Sequence, residues 1–410
     1  MTTSEHTRAA GAALRNAKLA QTGAYSAAFI ALGMVTASLG PTISGLAANT
    51  GTTLSGISVL FTARSLGYLL GSFFGGRLYD RVTGHPVMVA VLLVMAVTMI
   101  LSPILSVLWL LVPVFLITGL AEGALDVGGN VLLVWVHGAG VGPYMNALHF
   151  FFGVGAFLSP ILIAQVGLRS DDLRWAYWAL AALMLPSAAW MWRVPSPRPE
   201  DGANAASSRQ SSLLLLVLFL AFFFLYVSAE VSFGGWVFTY GVETGLADES
   251  AAAYLTSAFW GALTLGRLLA IPIAARFRPE SMLLGDLVGS LVSVLVILAW
   301  PGSSTALWVG ALGLGLSLAS VFPTLMSLAE RKMAVTGSVT GWFLVGSSAG
   351  AMSLPWLIGQ LLEPVGPRVT MVAIAIDLVA AFAVWAAVAL NRGSPETLGA
   401  EGDPQAHQPR

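Results

Sequence analysis

Twelve apolar runs dominate this sequence, and each is about as long as a helix that crosses a bilayer. They lie near 23–47, 53–77, 86–105, 107–135, 143–167, 173–193, 211–241, 250–275, 281–300, 304–328, 336–361 and 368–391. A crossing helix needs about 20 mostly apolar residues. Only 10% of the residues are charged, whereas soluble domains carry roughly 25%. The expected fold class is therefore an all-α integral membrane protein of twelve transmembrane helices. The first run is too long for a secretory signal core and reads as a retained span. A cleaved signal is the alternative there.

The break between the sixth and seventh runs differs in kind. Residues 194–211, VPSPRPEDGANAASSRQS, have the composition of a linker. The resulting plan is a cytoplasmic segment 1–22, a six-helix bundle 23–193, a cytoplasmic linker 194–211, a second six-helix bundle 212–391 and a disordered tail 392–410. The halves repeat. A shift of about 195 residues carries Gly40 onto Gly235, Gly71 onto Gly266, Gly155 onto Gly350, Pro160 onto Pro355 and Gln165 onto Gln360. Such pseudo-symmetric halves, with a site at their midplane, are a transporter architecture.

Lys and Arg set the orientation. With the N-terminus inside, the inner segments hold 14 of the 19 basic residues and the outer loops hold 3. This places both termini in the cytoplasm of a cell-membrane protein.

Acids inside the spans point to chemistry, because a charge in the bilayer interior must face a cavity or a partner. In the fourth run, GLAEGALDVGGN, Glu122, Asp126 and Asn130 recur every four residues and share one helix face. Gly128 and Gly129 leave room beside them. Glu230 lies in the seventh run, with Tyr226, Trp236 and Tyr240 expected on its side. Asp126, Glu122 and Glu230 are the candidate ion-coupling residues. The alternative for each is a static bridge to Arg64 or Arg267, the two cations within spans.

Aromatic faces stack on sugar C–H surfaces, while amides and carboxylates bind hydroxyls. On that basis the candidate substrate-binding set is Asn130, Asn146, His149, Tyr226, Trp236, Tyr240, Trp260, Gln165 and Gln360. Interfacial anchoring is the other reading for Tyr240 and Trp236, and core packing for Trp260. Gln165 and Gln360 either gate the outer entrance or simply face water.

The inner loop after the second run, GGRLYDRVTGHP, resembles the signature loop of the major facilitator superfamily. Gly76, Asp80, Arg81 and Gly84 carry the likeness, and His85 replaces the usual base. Asp80 can pair with a helix N-terminus or a basic residue across the interface, and the resemblance implies a latch on the inner gate; a basic turn that only fixes topology is the alternative. DVGGN is similar to the acid-x-small-small-Asn stretch of the fucose–proton symporters, which implies proton coupling and sugar recognition at Asp126 and Asn130. The likeness of MNALHFFFGVGAF to the same family puts His149 where its Gln stands. The first run lacks that family's acid. LHFFFGVGAFLSP, YVSAEVSFGGWVFTY and LTSAFWGALTLGR resemble the branch of sodium-dependent glucose transporters, also called major facilitator domain-containing proteins.

These observations imply a secondary active carrier of a small polyhydroxylated solute, most simply a monosaccharide. H⁺ or Na⁺ would be the coupling ion, and no other cofactor is expected. Export of lipophilic or drug-like amphipathic compounds is the alternative. No GxxxxGK[ST] loop or HExxH motif is present. The chain has no Cys, and its net charge of −1 suggests no nucleic-acid partner. An enzyme is not expected, since no nucleophile–base pair stands out, and a monomer would suffice.

Overall fold

Most peptide groups of the chain are paired within helices, as the interior of a bilayer demands. The computed structural model describes residues 3–170, 172–197, 213–333 and 335–391. The expected disorder of the tail 392–410 falls outside the described residues, as does most of the linker.

The first pass is made by α1 (Thr3–Thr36) and α2 (Leu39–Thr50), and the second by α3 (Leu54–Ile57) and α4 (Val59–Tyr79). α5 (Gly84–Leu101), α6 (Leu108–His137), α7 (Gly142–Gly167) and α8 (Leu173–Arg193) complete the first half. The second half comprises α9 (Leu213–Glu243), α10 (Glu249–Ala274), α11 (Pro279–Ala299), α12 (Ser304–Leu318), α13 (Val321–Lys332), α14 (Gly337–Val365) and α15 (Val369–Leu390), with α12 and α13 sharing one pass. Ten helical segments among the described residues are long and apolar enough to cross a membrane. Two further long helices, α8 and α14, make the passes twelve. Large apolar side chains such as Val97, Leu110 and Ile376 stand exposed, as a lipid-facing surface requires.

Local chemistry explains where helices start and break. Side chains of Thr53, Asp248, Ser303 and Thr336 cap helix N-termini by accepting free backbone N–H groups. The first and tenth passes break at Ala37–Ser38 and at Ala319–Ser320. Pro41 and Pro323 stand four residues after Ala37 and Ala319 and have no N–H to offer those carbonyls.

The repeat is visible in the packing. Gly155 of α7 meets the backbone oxygen of Ile30 on α1, and Gly350 of α14 meets that of Phe224 on α9. Both members of each match lie close to 195 residues apart. The chain ends of the even-numbered passes, with the linker, define one face, here called the linker face. The opposite one is the far face. Across the halves, α4 packs on α14, α7 on α10 and α2 on α9.

Candidate functional site

The site starts from glycines. A Cβ on Gly119 would lie 1.9 Å from the Arg64 carbonyl oxygen, and one on Gly123 would lie 2.2 Å from that of Tyr68. With hydrogen in place of a side chain, α4 and α6 touch backbone to backbone. This sets two ladders with a four-residue step face to face: Arg64 and Tyr68 on α4, Glu122 and Asp126 on α6.

Each rung is bonded. Arg64 Nε donates to Glu122 Oε2 at 2.7 Å, and Nη2 donates to Oε1 at 2.6 Å. The Thr36 hydroxyl adds a bond to Oε1 at 3.2 Å. Arg64 Nη1 donates to the Thr36 carbonyl, freed by the break in the first pass, at 3.1 Å. The Tyr68 hydroxyl donates to Asp126 Oδ2, and Asn130 Nδ2 donates to Oδ1 at 3.1 Å. Glu122 is thus bound by Arg64, whereas no cation pairs with Asp126 among the described residues.

A cavity of about 710 Å³ lies between the halves. Thr36, Arg64, Tyr68, Glu122, Asp126, Asn146 and His149 line it from the first half, and Glu230, Trp260, Arg267, Ser347 and Ser348 from the second. It reaches the linker face at Phe277, Pro279 and Arg331. The Tyr226 hydroxyl donates to Glu230. Arg267 makes no ion pair among the described residues. Trp260 and Ser347 line the cavity too, but Trp260 Nε1–H and Ser347 Oγ are themselves buried in the wall, with no hydrogen-bond partner among the described residues. The ring of His149 packs edge-on to Phe29 at 5.9 Å.

The far face is shut. Gly40 of α2 abuts the Gly234 carbonyl of α9. Gln360 Nε2 donates to the Ser55 carbonyl and Ser58 Oγ at 2.8 and 3.1 Å, and its Oε1 accepts from Ser55 Oγ at 2.8 Å. Gln165 donates to the Tyr254 hydroxyl, and Leu54 N–H donates to Glu363 Oε1 at 3.1 Å.

Several expected site residues lie elsewhere. Trp236 and Tyr240 do not share the side of Glu230. Six residues rotate a helix by about 240°, and both rings are buried away from the cavity. Trp236 Nε1 donates to the Pro355 carbonyl at 2.9 Å and its ring tilts against Phe61 at 5.4 Å. Asn130 folds back onto Asp126 and does not line the cavity. The space beside Gly128 and Gly129 is filled by the rings of Tyr79 and Phe29 rather than left for a solute. At the signature loop, Asp80 and Arg81 are exposed and form no ion pair among the described residues. Gly76 is open enough that a Cβ would meet only Val127, at 3.9 Å. His85 binds Tyr25 and the Val194 carbonyl instead, at 2.7 and 2.8 Å.

The sequence reading missed Tyr68, Thr36, Asp286 and Asp377. Asp286 accepts from Ser320 Oγ at 2.6 Å beside the cavity. Both acids gave the signal that singled out Glu122, a carboxylate within an apolar run.

Two six-pass halves enclosing a charged midplane cavity define a multi-pass membrane transporter. The chain belongs to the Major Facilitator Superfamily, whose sequence pattern matches residues 25–355. It is similar to sodium-dependent glucose transporter 1 of Danio rerio, at 34% identity over 83% of this chain and 64% of the relative. Sodium-dependent glucose transporter 1A of Mus musculus is 32% identical over 82% of this chain and 88% of the relative. The chain thus spans just under two thirds of the Danio rerio relative's length. Major facilitator superfamily domain-containing protein 4A of Danio rerio is 27% identical over 83% of this chain and 82% of its own length. Among solved structures, the nucleoside transporter NupG aligns with a TM-score of 0.74 at 14% identity, covering 91% of this chain and 99% of NupG. A bacterial homolog of the human lysosomal transporter Spinster aligns with a TM-score of 0.71 at 14% identity, covering 91% of this chain and 96% of its own. The superfamily and these relatives are transporters, not enzymes.

Proposed function

We propose that this protein is a secondary active carrier of a small polyhydroxylated solute, most simply a monosaccharide, working by alternating access in a cell membrane. The observation that carries the reading is the set of polar side chains that both halves turn into one cavity, the exposed amide of Asn146 with Asp126, His149 and Glu230, beside the Trp260 side chain. A hydroxyl-rich solute satisfies such groups and covers the Trp260 ring. The names of the glucose-transporter relatives point the same way. A cavity of about 710 Å³ accommodates a hexose with accompanying water.

Asp126 is the coupling residue in this reading, with H⁺ or Na⁺ as its ion. Unlike Glu122, it is held by neutral donors, so gain or loss of a cation changes the charge of the cavity. Coupling requires that the ion bind one conformation better than the other. The termini and linker lie in the cytoplasm, which makes the cavity inward-open. The Gln165 and Gln360 bridges then act as the outer gate, and the separated Asp80 loop is the unfastened inner latch.

The test is uptake of labelled D-glucose into liposomes carrying the purified protein, under an inward H⁺ or Na⁺ gradient. Wild type should accumulate glucose against its gradient, and Asp126→Asn should fold yet only equilibrate it. Undiminished accumulation by Asp126→Asn rejects the coupling role. Export of lipophilic amphiphiles is the second reading, favoured by the apolar vestibule of Phe277, Met282, Phe322 and Met326. It predicts binding of lipophilic cations and none of sugars.

A further inference from the structure

One carboxyl group lies outside the cavity, in the contact between α15 and α9. Asp377 of α15 is 7% exposed, and Ser228 of α9 is fully buried. Their side chains approach to 2.6 Å, Ser228 Oγ to Asp377 Oδ1. The same Ser228 Oγ lies 2.9 Å from the Leu225 carbonyl oxygen.

A hydroxyl has one hydrogen, and a carbonyl has none to give. The Ser228 hydrogen goes to Asp377 Oδ1 at the shorter distance, since the Leu225 carbonyl lies within α9 and already accepts from the backbone. The carboxyl therefore rests on a single hydrogen bond from a neutral donor among the described residues, poor support for a buried negative charge and ample for a protonated acid. The other oxygen, Oδ2, is buried with no hydrogen-bond partner among the described residues. The oxygen of a neutral carboxyl tolerates that far better than that of an ionised one.

Among the described residues no counter-ion pairs with Asp377. α15 packs on α9, α11 and α14. The titratable groups of those helices are Tyr226, Glu230, Tyr240 and Glu243, then Glu280 and Asp286, then Glu363, and none of the four helices contains a Lys, Arg or His. Glu230 is bonded to Tyr226, and Asp286 to Ser320. Lys332 donates to the Val388 carbonyl of α15 and to the Asn391 carbonyl just past it, at 2.9 and 2.8 Å, three turns or more beyond Asp377. Packing alone does not need an acid here either. At the corresponding contact of the first half, Ser187 simply donates to the Ala27 carbonyl at 3.1 Å.

We propose that Asp377 is a proton-binding site separate from the cavity acids, loaded in the conformation whose cavity opens to the linker face. Ser228 and Glu230 are two residues apart on α9, about 200° around its axis. One helix therefore presents Glu230 to the cavity and Ser228 to Asp377. The assignment holds whatever solute the cavity takes.

Infrared spectroscopy of the purified full chain in lipid nanodiscs tests it. At neutral pH the wild type should show a carboxylic-acid carbonyl band that is lost in Asp377→Asn and kept in Glu230→Gln. Should Asp377→Asn not fold, Ser228→Ala serves instead. It removes the hydrogen-bond partner and should shift the band to higher frequency. A spectrum unchanged by the substitution made overturns the proposal. Melting curves give a second readout. A proton kept by the native state and lost by the unfolded one makes stability fall as pH rises. The wild-type melting temperature should drop more steeply between mildly acid and alkaline pH than that of Asp377→Asn. Parallel slopes overturn the proposal as well.

Discussion

Breaking the Arg64–Glu122 pair should cost more than any substitution on the lipid-facing surface. The pair has two charge-assisted bonds of 2.6 and 2.7 Å, with Glu122 1% and Arg64 15% exposed. Removing one partner strands the other charge in a poorly solvated place, which typically costs about 3–5 kcal/mol. Glu122→Gln keeps the shape but not the charge and should fall near the lower figure, because Arg64 retains the Thr36 carbonyl and some access to cavity water. Arg64→Met should fall nearer the upper one, since Glu122 is left with the Thr36 hydroxyl alone. With both charges gone there is nothing to strand, so the double variant should cost no more than the worse single. The coupling energy is then about 3 kcal/mol, well beyond the ~0.5 kcal/mol within which independent sites add. Equilibrium unfolding of the four proteins in one detergent measures it. Additive losses would refute the reasoning and mean that water in the cavity already screens the pair.

Three other outcomes are expected. Gly119→Ala places a methyl group on the Arg64 carbonyl and must drive α4 from α6, costing about 1–3 kcal/mol in melting experiments along with D-glucose uptake. Because the chain has no Cys, single thiols report access cleanly. Asn146→Cys should react with a membrane-impermeant maleimide from the linker face while Ser58→Cys is protected, and adding Gln360→Ala should expose the latter. Asn146→Ala removes an exposed amide from the cavity wall, so D-glucose affinity should weaken by up to about tenfold, the worth of one net hydrogen bond, with the melting temperature little changed. Equal affinity would remove Asn146 from the binding wall.

Much of the fold was legible because bilayer thickness sets the length of every pass. The sixth run, 173–193, coincides with α8, and most other ends fall within a few residues. Pro41 and Pro323 also announced the two broken passes, had the carbonyl four residues before each been considered. The partner of Glu122 was not legible. It depends on how α4 is rotated against α6, which rests on the approach of Gly119 and Gly123 rather than on any periodicity of charge. Trp236 and Tyr240 went astray for a simpler reason, since they share a face with each other but not with Glu230. The Asp377–Ser228 contact spans 149 residues, and no local pattern could have joined its ends.

Gly40 against the Gly234 carbonyl makes a fulcrum with no padding. Where side chains seal a joint, rotamers can slide and keep it watertight through part of a swing. Here two backbones press directly on each other, so a tilt of one half must either preserve the contact whole or break it at once. A far-side opening built on this joint would behave as a snap rather than a graded leak.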